Sequence, residues 1–446
     1  LAVVLSSSVV ATASAQDHQA GSKEGPQESP SQEAQEGPQA ASQGGVLSDS
    51  PDDPSNLLPA IEQRRKLKYS VVALPAVERL HETVDGAKDD LYEWTHLRLA
   101  AQFNHLFQFL SEAPLAPDST WGTASELDFL AAWELVDRGE PTLGQLYFQL
   151  QGRWEYGTTG PERLGTVGLG SLVGTANTFS AYVPTFLVRN LYWQQGTAEA
   201  GWAYRIGKIT PDAMLSTSAH IASPITFLPT AGTGPFSNAL PDSGLGIAGV
   251  GHLYDILRFL VVISDANGDR FNFGDIGAGD FYKAIELGVK VAPRTPKAGY
   301  SKVTLWHTDG TEDGEAANGN LGPEGWGFFV KYEQELAADG RPVVILRYGK
   351  SFNESAFYRE QVGAHFVLYD PTPLANMKND LLGVAFNWAQ AAVSGARGEY
   401  NAEVFYRFPL FPQMDMTFSY QGVIHPALDP DNGFASVFSF RFRTTF

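Results

Sequence analysis

Cysteine is absent from the 446-residue chain, so there is no disulfide framework and the fold must hold itself together. Long apolar runs are missing as well. Beyond the N-terminus nothing approaches the ~18 consecutive apolar residues of a spanning helix, which excludes a helical membrane protein. Basic residues are scarce, with 31 Lys and Arg against 50 Asp and Glu and a net charge of −19. That balance argues against a nucleic-acid partner, whose phosphates need a basic surface. Signatures of catalysis are equally absent: no Gly-x-Ser-x-Gly elbow and no phosphate-binding Gly-Lys loop occur. The 9 His are scattered without a zinc spacing. Asp265-Ala266-Asn267-Gly268-Asp269 opens like a calcium loop, but Arg270 and Ile276 stand where the Gly and Glu of that loop belong. The chain therefore reads as a non-enzyme without metal or cofactor.

What is abundant favours strands and turns. Aromatic residues make up 12% of the chain, with 28 Phe, 17 Tyr and 9 Trp, and there are 45 Gly. Leu1 to Ala15 reads as most of a secretory signal, ending in Ala13-Ser14-Ala15 with cleavage expected before Gln16. Residues 16–60 are rich in Pro, Gln and Glu and are expected to be a disordered arm, too poor in aliphatic residues to offset its conformational entropy. Residues 61–92, with Val77, Leu80, Val84 and Leu91 at helical spacing, are expected to form a short periplasmic lead-in helix.

From residue 93 to 446 the texture becomes alternation with period two. Phe434, Ser436, Phe438, Phe440, Phe442, Thr444 and Phe446 share one face, and Ala435, Val437, Ser439, Arg441, Arg443 and Thr445 the other. Met414, Met416, Phe418 and Tyr420 alternate with Asp415, Thr417, Ser419 and Gln421. Tyr400, Ala402, Val404 and Tyr406 alternate with Glu399, Asn401, Glu403 and Arg407. Such segments exceed the ~5–6 residues of an ordinary strand and match the ~9–11 residues with which a tilted strand crosses a bilayer. About sixteen segments follow this rule, beginning near residues 95, 125, 144, 183, 198, 244, 256, 280, 300, 324, 341, 359, 379, 397, 413 and 433. Every second connection is short and rich in Gly, Pro or Asp, whereas residues 157–182, 210–243, 265–279 and 308–323 form long loops. Two unequal rims are characteristic of outer-membrane barrels.

The fold class expected is therefore all-β, a transmembrane antiparallel barrel of about 16 strands behind a disordered N-terminal arm. Lipid offers no hydrogen bonds, so inward polar residues are the functional surface. Parity assigns the lumen Arg98, Glu126, Arg153, Glu155, Arg189, Arg205, Glu286, Lys331, Arg347, His365, Glu399, Glu403, Arg407, Arg441 and Arg443. The longest loop, 210–243, carries Phe227, Phe236, Asn238 and Asp242 and is expected to fold inward as a constriction.

The run Arg397-Gly398-Glu399-Tyr400-Asn401-Ala402-Glu403-Val404-Phe405-Tyr406-Arg407-Phe408 is followed by a Pro-flanked turn and Met414-Asp415-Met416-Thr417. Tyr420-Gln421, His425-Pro426-Ala427 and a terminal apolar-Arg-apolar strand come next. Together they resemble the closing hairpin of OprB-type carbohydrate-selective porins, and Tyr204-Arg205-Ile206-Gly207-Lys208 resembles a mid-barrel strand of that family. The resemblance implies a sixteen-stranded outer-membrane barrel that passes small sugars by diffusion through a constricted lumen. It places the chain in a Gram-negative-type outer membrane with both termini periplasmic, in contact with lipid and lipopolysaccharide. Phe446 would be the closure signal read by the barrel-assembly machinery, and a homotrimer is compatible with sixteen strands. A general or anion-preferring porin and a secreted β-rich binding protein are the alternatives.

Overall fold

The computed structural model describes residues 46–65, 70–116, 119–157, 159–177, 179, 185–254, 256–291, 299–311, 320–374 and 377–446. The signal-like segment and the arm up to residue 45 lie outside the described residues. Among these residues sixteen antiparallel strands close into one barrel, each paired with its sequence neighbour and the last with the first. They are β1 (Leu97–Leu110), β2 (Trp121–Val136), β3 (Gly144–Tyr156), β4 (Thr185–Gln195), β5 (Trp202–Ile209), β6 (Gly244–Leu253), β7 (Leu257–Asp265) and β8 (Phe281–Val291). The second half comprises β9 (Gly299–Thr308), β10 (Gly325–Glu335), β11 (Pro342–Phe352), β12 (Tyr358–Tyr369), β13 (Leu381–Ala391), β14 (Glu399–Phe411), β15 (Met414–Ile424) and β16 (Phe434–Thr445).

Alternation sets the faces. In β16 the inward Ala435, Val437, Ser439, Arg441, Arg443 and Thr445 are buried, while Phe434 and Phe438 are exposed outward. Exposed aromatics gather near both strand ends, with Trp121, Phe186, Trp326 and Phe434 toward the long loops and Trp133, Trp202 and Tyr332 toward the short turns. These are the two girdles that flank a bilayer. Closure runs through the terminus, where Phe446 exchanges backbone hydrogen bonds of 2.8 and 2.9 Å with Ala101. Polar side chains on the outward face of β1 and β2 pair with one another. His105 Nδ1 lies 2.7 Å from Ser125 Oγ and Nε2 lies 3.1 Å from Thr123 Oγ1, so these groups satisfy one another away from water.

The expectation of disorder through residue 60 is corrected: residues 46–60 are folded, inside the barrel. Helix α1 (Pro54–Arg64) begins with Asp53 as N-cap, its carboxylate accepting from Ser55 N at 3.0 Å, and with Pro54 in the first turn. Leu57, Leu58 and Ile61 of α1 are buried in one cluster with Leu130, Tyr147, Tyr192 and Ala203 of the wall. Burying each such aliphatic side chain is worth about 1.5–3 kcal/mol, so the wall supplies the apolar partner that the arm's own composition lacks. The lead-in helix is α2 (Pro75–Thr95), outside the lumen at the short-turn rim. Its His81 stacks on the Phe446 ring at 5.2 Å.

Candidate functional site

Among the described residues the lumen is narrowed by three inserts: the arm from Val46 to Arg64, residues 159–177 between β3 and β4, and the loop of residues 210–243. The barrel's inward ions hold them there. Arg347 donates to Gly232 O at 2.5 Å, Arg441 to Ser223 O and Thr226 O at 2.5 and 2.8 Å, and Arg407 to Ile225 O at 3.3 Å. Lys331 donates to Thr217 O at 2.6 Å and to Glu333 at 2.9 Å. Glu403 accepts from Leu228 N at 3.0 Å and Ser419 Oγ at 2.6 Å. Glu399 accepts from Ser171 Oγ, from Leu172 N at 2.9 Å and from Ala427 N at 3.1 Å. Loop carbonyls and amides withdrawn from water need partners, and charged ones make the strongest hydrogen bonds. Most inward ions expected to meet solute are therefore anchors, with their charged ends covered by loop backbone.

The glycine in Tyr204-Arg205-Ile206-Gly207-Lys208 is explained by the same packing. Gly207 has φ +136°, and a Cβ there would stand 2.4 Å from Leu191 O of the neighbouring strand, so only glycine fits. Arg205 forms two hydrogen bonds of 2.6 and 2.7 Å with Asp53 of the arm and lies 4.5 Å over the Tyr192 ring. Lys208 donates to the carbonyls of Asp269 and Arg270 at 3.0 and 3.1 Å. The motif thus ties one strand to the arm below and to the β7–β8 loop above.

Two adjoining cavities lie among the described residues. The first is lined by Ser50 and Asp52 of the arm, Asn177, Arg189, Asp212, Phe236 and Arg347 among others. The second is lined by Gln151, Arg153, Asn177, Arg189, Asp212, Phe236, Asp242 and Arg270. Asn177, Arg189, Asp212 and Phe236 border both, so the two form one route along the β3–β4 wall. Arg189 lies 3.7 Å from Asp212 and donates to Gln151 at 3.3 Å. Arg153 pairs with Glu126 at 3.1 Å, and Arg270 with Asp242 at 2.6 Å. Burial pushes the Asp212 carboxyl up from its ordinary value, against the pull of Arg189.

Of the inward ions expected from parity, Arg153, Arg189 and Arg347 border this route. Arg98 sits at the short-turn rim, bound to Glu62 at 2.8 Å and Glu134 at 3.0 Å, and Glu155 is covered by its own loop, 3.5 Å from Arg163. Of the constriction candidates, Phe236 and Asp242 face the route. Phe227 does not: it is fully buried between His365 and Phe405, each with its ring 4.9 Å away. Asn238 is also fully buried, with its backbone closing a turn onto Pro235 O at 2.8 Å. Ser50, Asp52, Asn177 and Asp212 were missed because they lie in segments without strand periodicity. The available signal was Asp53-Pro54 ahead of Leu57, Leu58 and Ile61, a helix start with an apolar face.

Residues 297–446 match the model of the OprB family, carbohydrate-selective porin. The C-terminal half of the barrel is therefore similar to that family. The matched stretch runs from β9 through β16, and it carries the ions that seat the loop of residues 210–243. The barrel is also similar to two structures of Pseudomonas putida OprB. The high-pH structure superposes with a TM-score of 0.66 at 11% identity, over 81% of this chain and 97% of that one. The low-pH structure gives 0.51 at 9% identity, over 81% and 96%. No curated protein sequence matches the chain. The barrel fold is shared with these structures.

Proposed function

We propose that this porin passes neutral sugars in preference to anions along the β3–β4 route, with the long loops outward and both termini toward the periplasm. The observation that carries the reading is the balance of charge along the route. Arg189 stands against Asp212, Arg153 against Glu126 and Arg270 against Asp242, so little net field favours an anion. Paired Arg and carboxylate groups offer donors and acceptors to hydroxyls, and Phe236 adds an aromatic surface beside them for the apolar face of a pyranose.

The test is planar-bilayer conductance with and without added oligosaccharide, which should lower the current by occupying the route. Phe236→Ala is expected to weaken this sugar block about three- to tenfold, the loss of a contact of about 0.5–1.5 kcal/mol. Currents indifferent to sugar in the unaltered porin would overturn the reading.

A further inference from the structure

We propose that the segment Val46–Arg64 is the charge-selectivity element of the pore, and that Asp52 in this arm, not a residue of the barrel, sets which ions accompany the sugar. The inference rests on the reading of the lumen as a permeation route. In the ring of sixteen, β7 and β15 are eight strands apart and therefore face one another across the lumen. The segment reaches both. Arg258 of β7 donates to Leu47 O at 2.7 Å, and Arg64 pairs with Asp415 of β15. The arm is thus a bar across the full width of the short-turn half of the barrel.

Along its course the bar neutralises the wall. Asp49 pairs with Lys302, Asp53 with Arg205 and Glu62 with Arg98. Burial alone would raise the Asp49 carboxyl, but Lys302, Arg258 and Lys331 outweigh it and hold it at about 2. Inward Arg and Lys that would otherwise draw anions are consumed in this way. What the arm turns toward the first cavity is Ser50 and Asp52. Among the described residues the Asp52 carboxyl takes no hydrogen bond and no ion pair, unlike Asp49 and Asp53 on either side of it. The charged groups that face it are Asp128 of β2, Arg189 of β4, Asp212 of the long loop and Arg443 of β16, with Glu126 of β2 also within its field. Burial, then Asp128, push the Asp52 carboxyl up to about 7. It is therefore neutral below that pH and negative above it.

The experiment is the reversal potential of the full-length porin in a KCl gradient at pH 8, for the unaltered chain, Asp52→Asn, Asp52→Glu and Asp339→Asn. Asp339 is exposed in the short turn between β10 and β11, paired with Arg341, and serves as a charge-matched control. Asp52→Asn is expected to lower the K⁺/Cl⁻ permeability ratio about two- to threefold, the effect of one charge acting across several ångströms of water. Asp52→Glu should restore the ratio and Asp339→Asn should leave it unchanged. Lowering the pH through about 7 should move the unaltered porin toward the Asp52→Asn ratio and move Asp52→Asn much less. A reversal potential in Asp52→Asn equal to that of Asp339→Asn would overturn the inference, as would a pH response identical with and without the carboxylate. Sugar passage by the same variants keeps the two readings apart. If sugars still pass while Asp52→Asn leaves the ion ratio untouched, only the role of the arm is lost.

Discussion

Arg205→Ala is expected to raise single-channel conductance at least about twofold and to add slow opening steps. Arg205 and Asp53 are 2% and 1% exposed, so removing the guanidinium leaves a buried carboxylate in the arm with Ser55 as its remaining partner and no counter-charge. Breaking a buried pair in this way costs about 3–5 kcal/mol. The barrel itself need not absorb that cost, because its strands close without the arm, and the arm can relieve it by withdrawing toward the short-turn rim. The remaining ties include the Asp49–Lys302, Glu62–Arg98 and Arg64–Asp415 pairs, the hydrogen bond from Arg258 to Leu47 O and the contacts of Leu57, Leu58 and Ile61. They favour the docked arm, so the expected behaviour is exchange between docked and withdrawn states. Arg205→Lys keeps the charge but loses the two-pronged geometry and should fall between the two. Planar-bilayer recording gives the conductance, and trypsin cleavage near Arg64 and Arg65 in detergent reports the withdrawn arm. Unchanged conductance together with unchanged protease resistance would mean that the arm is not a movable obstruction.

The barrel was largely legible before any coordinates, because lipid and water impose period two on every wall strand. The segment expected near residue 433 begins at Phe434, and that near 244 begins at Gly244. The start expected near 125 falls at Trp121 instead, because Gly122, Thr123, Ala124 and Ser125 are small or polar on both faces and blur the alternation. The lumen was less legible. Parity identifies an inward arginine, but nothing in a strand pattern says whether its charge meets solute or a loop carbonyl. Arg441 is inward as expected and yet is spent on Ser223 and Thr226. Arg189 is inward and borders the route, with the Asp212 carboxylate rather than a loop carbonyl beside its charge. Those differences are decided by segments such as 210–243 and 46–64, whose conformation is set by distant partners. Asp53 and Arg205 lie 152 residues apart in the chain.

Phe227→Ala is expected to abolish the preference for sugar over anion while leaving the barrel assembled. The ring fills a site between His365 and Phe405, within a cluster that includes Ile221, Val343, Ile345, Val367 and Leu381. Truncation of a fully buried Phe costs about 3–5 kcal/mol through lost burial and the cavity left behind. That loss falls on the loop, whose other ties are its contacts to Arg347, Arg407, Arg441, Lys331 and Glu403. Once the loop loosens, Phe236 and Asp212 move off the route and Arg189 loses its counter-charge. Conductance should rise, current noise should increase, and anion permeability should gain relative to sugar. Phe227→Leu keeps most of the volume, should cost less than about 1.5 kcal/mol and should preserve selectivity. Heat-modifiable migration on gels checks that both variants remain folded barrels. Retained sugar preference in folded Phe227→Ala would show that the ring does not position the constriction.

The central claim, a charge-balanced route for neutral carbohydrate, is tested most directly by swelling of liposomes carrying the unaltered porin. A neutral hexose is compared with the carboxylate of nearly the same size and shape. The account predicts that the hexose enters several-fold faster at low salt; equal rates, or faster entry of the carboxylate, would contradict it.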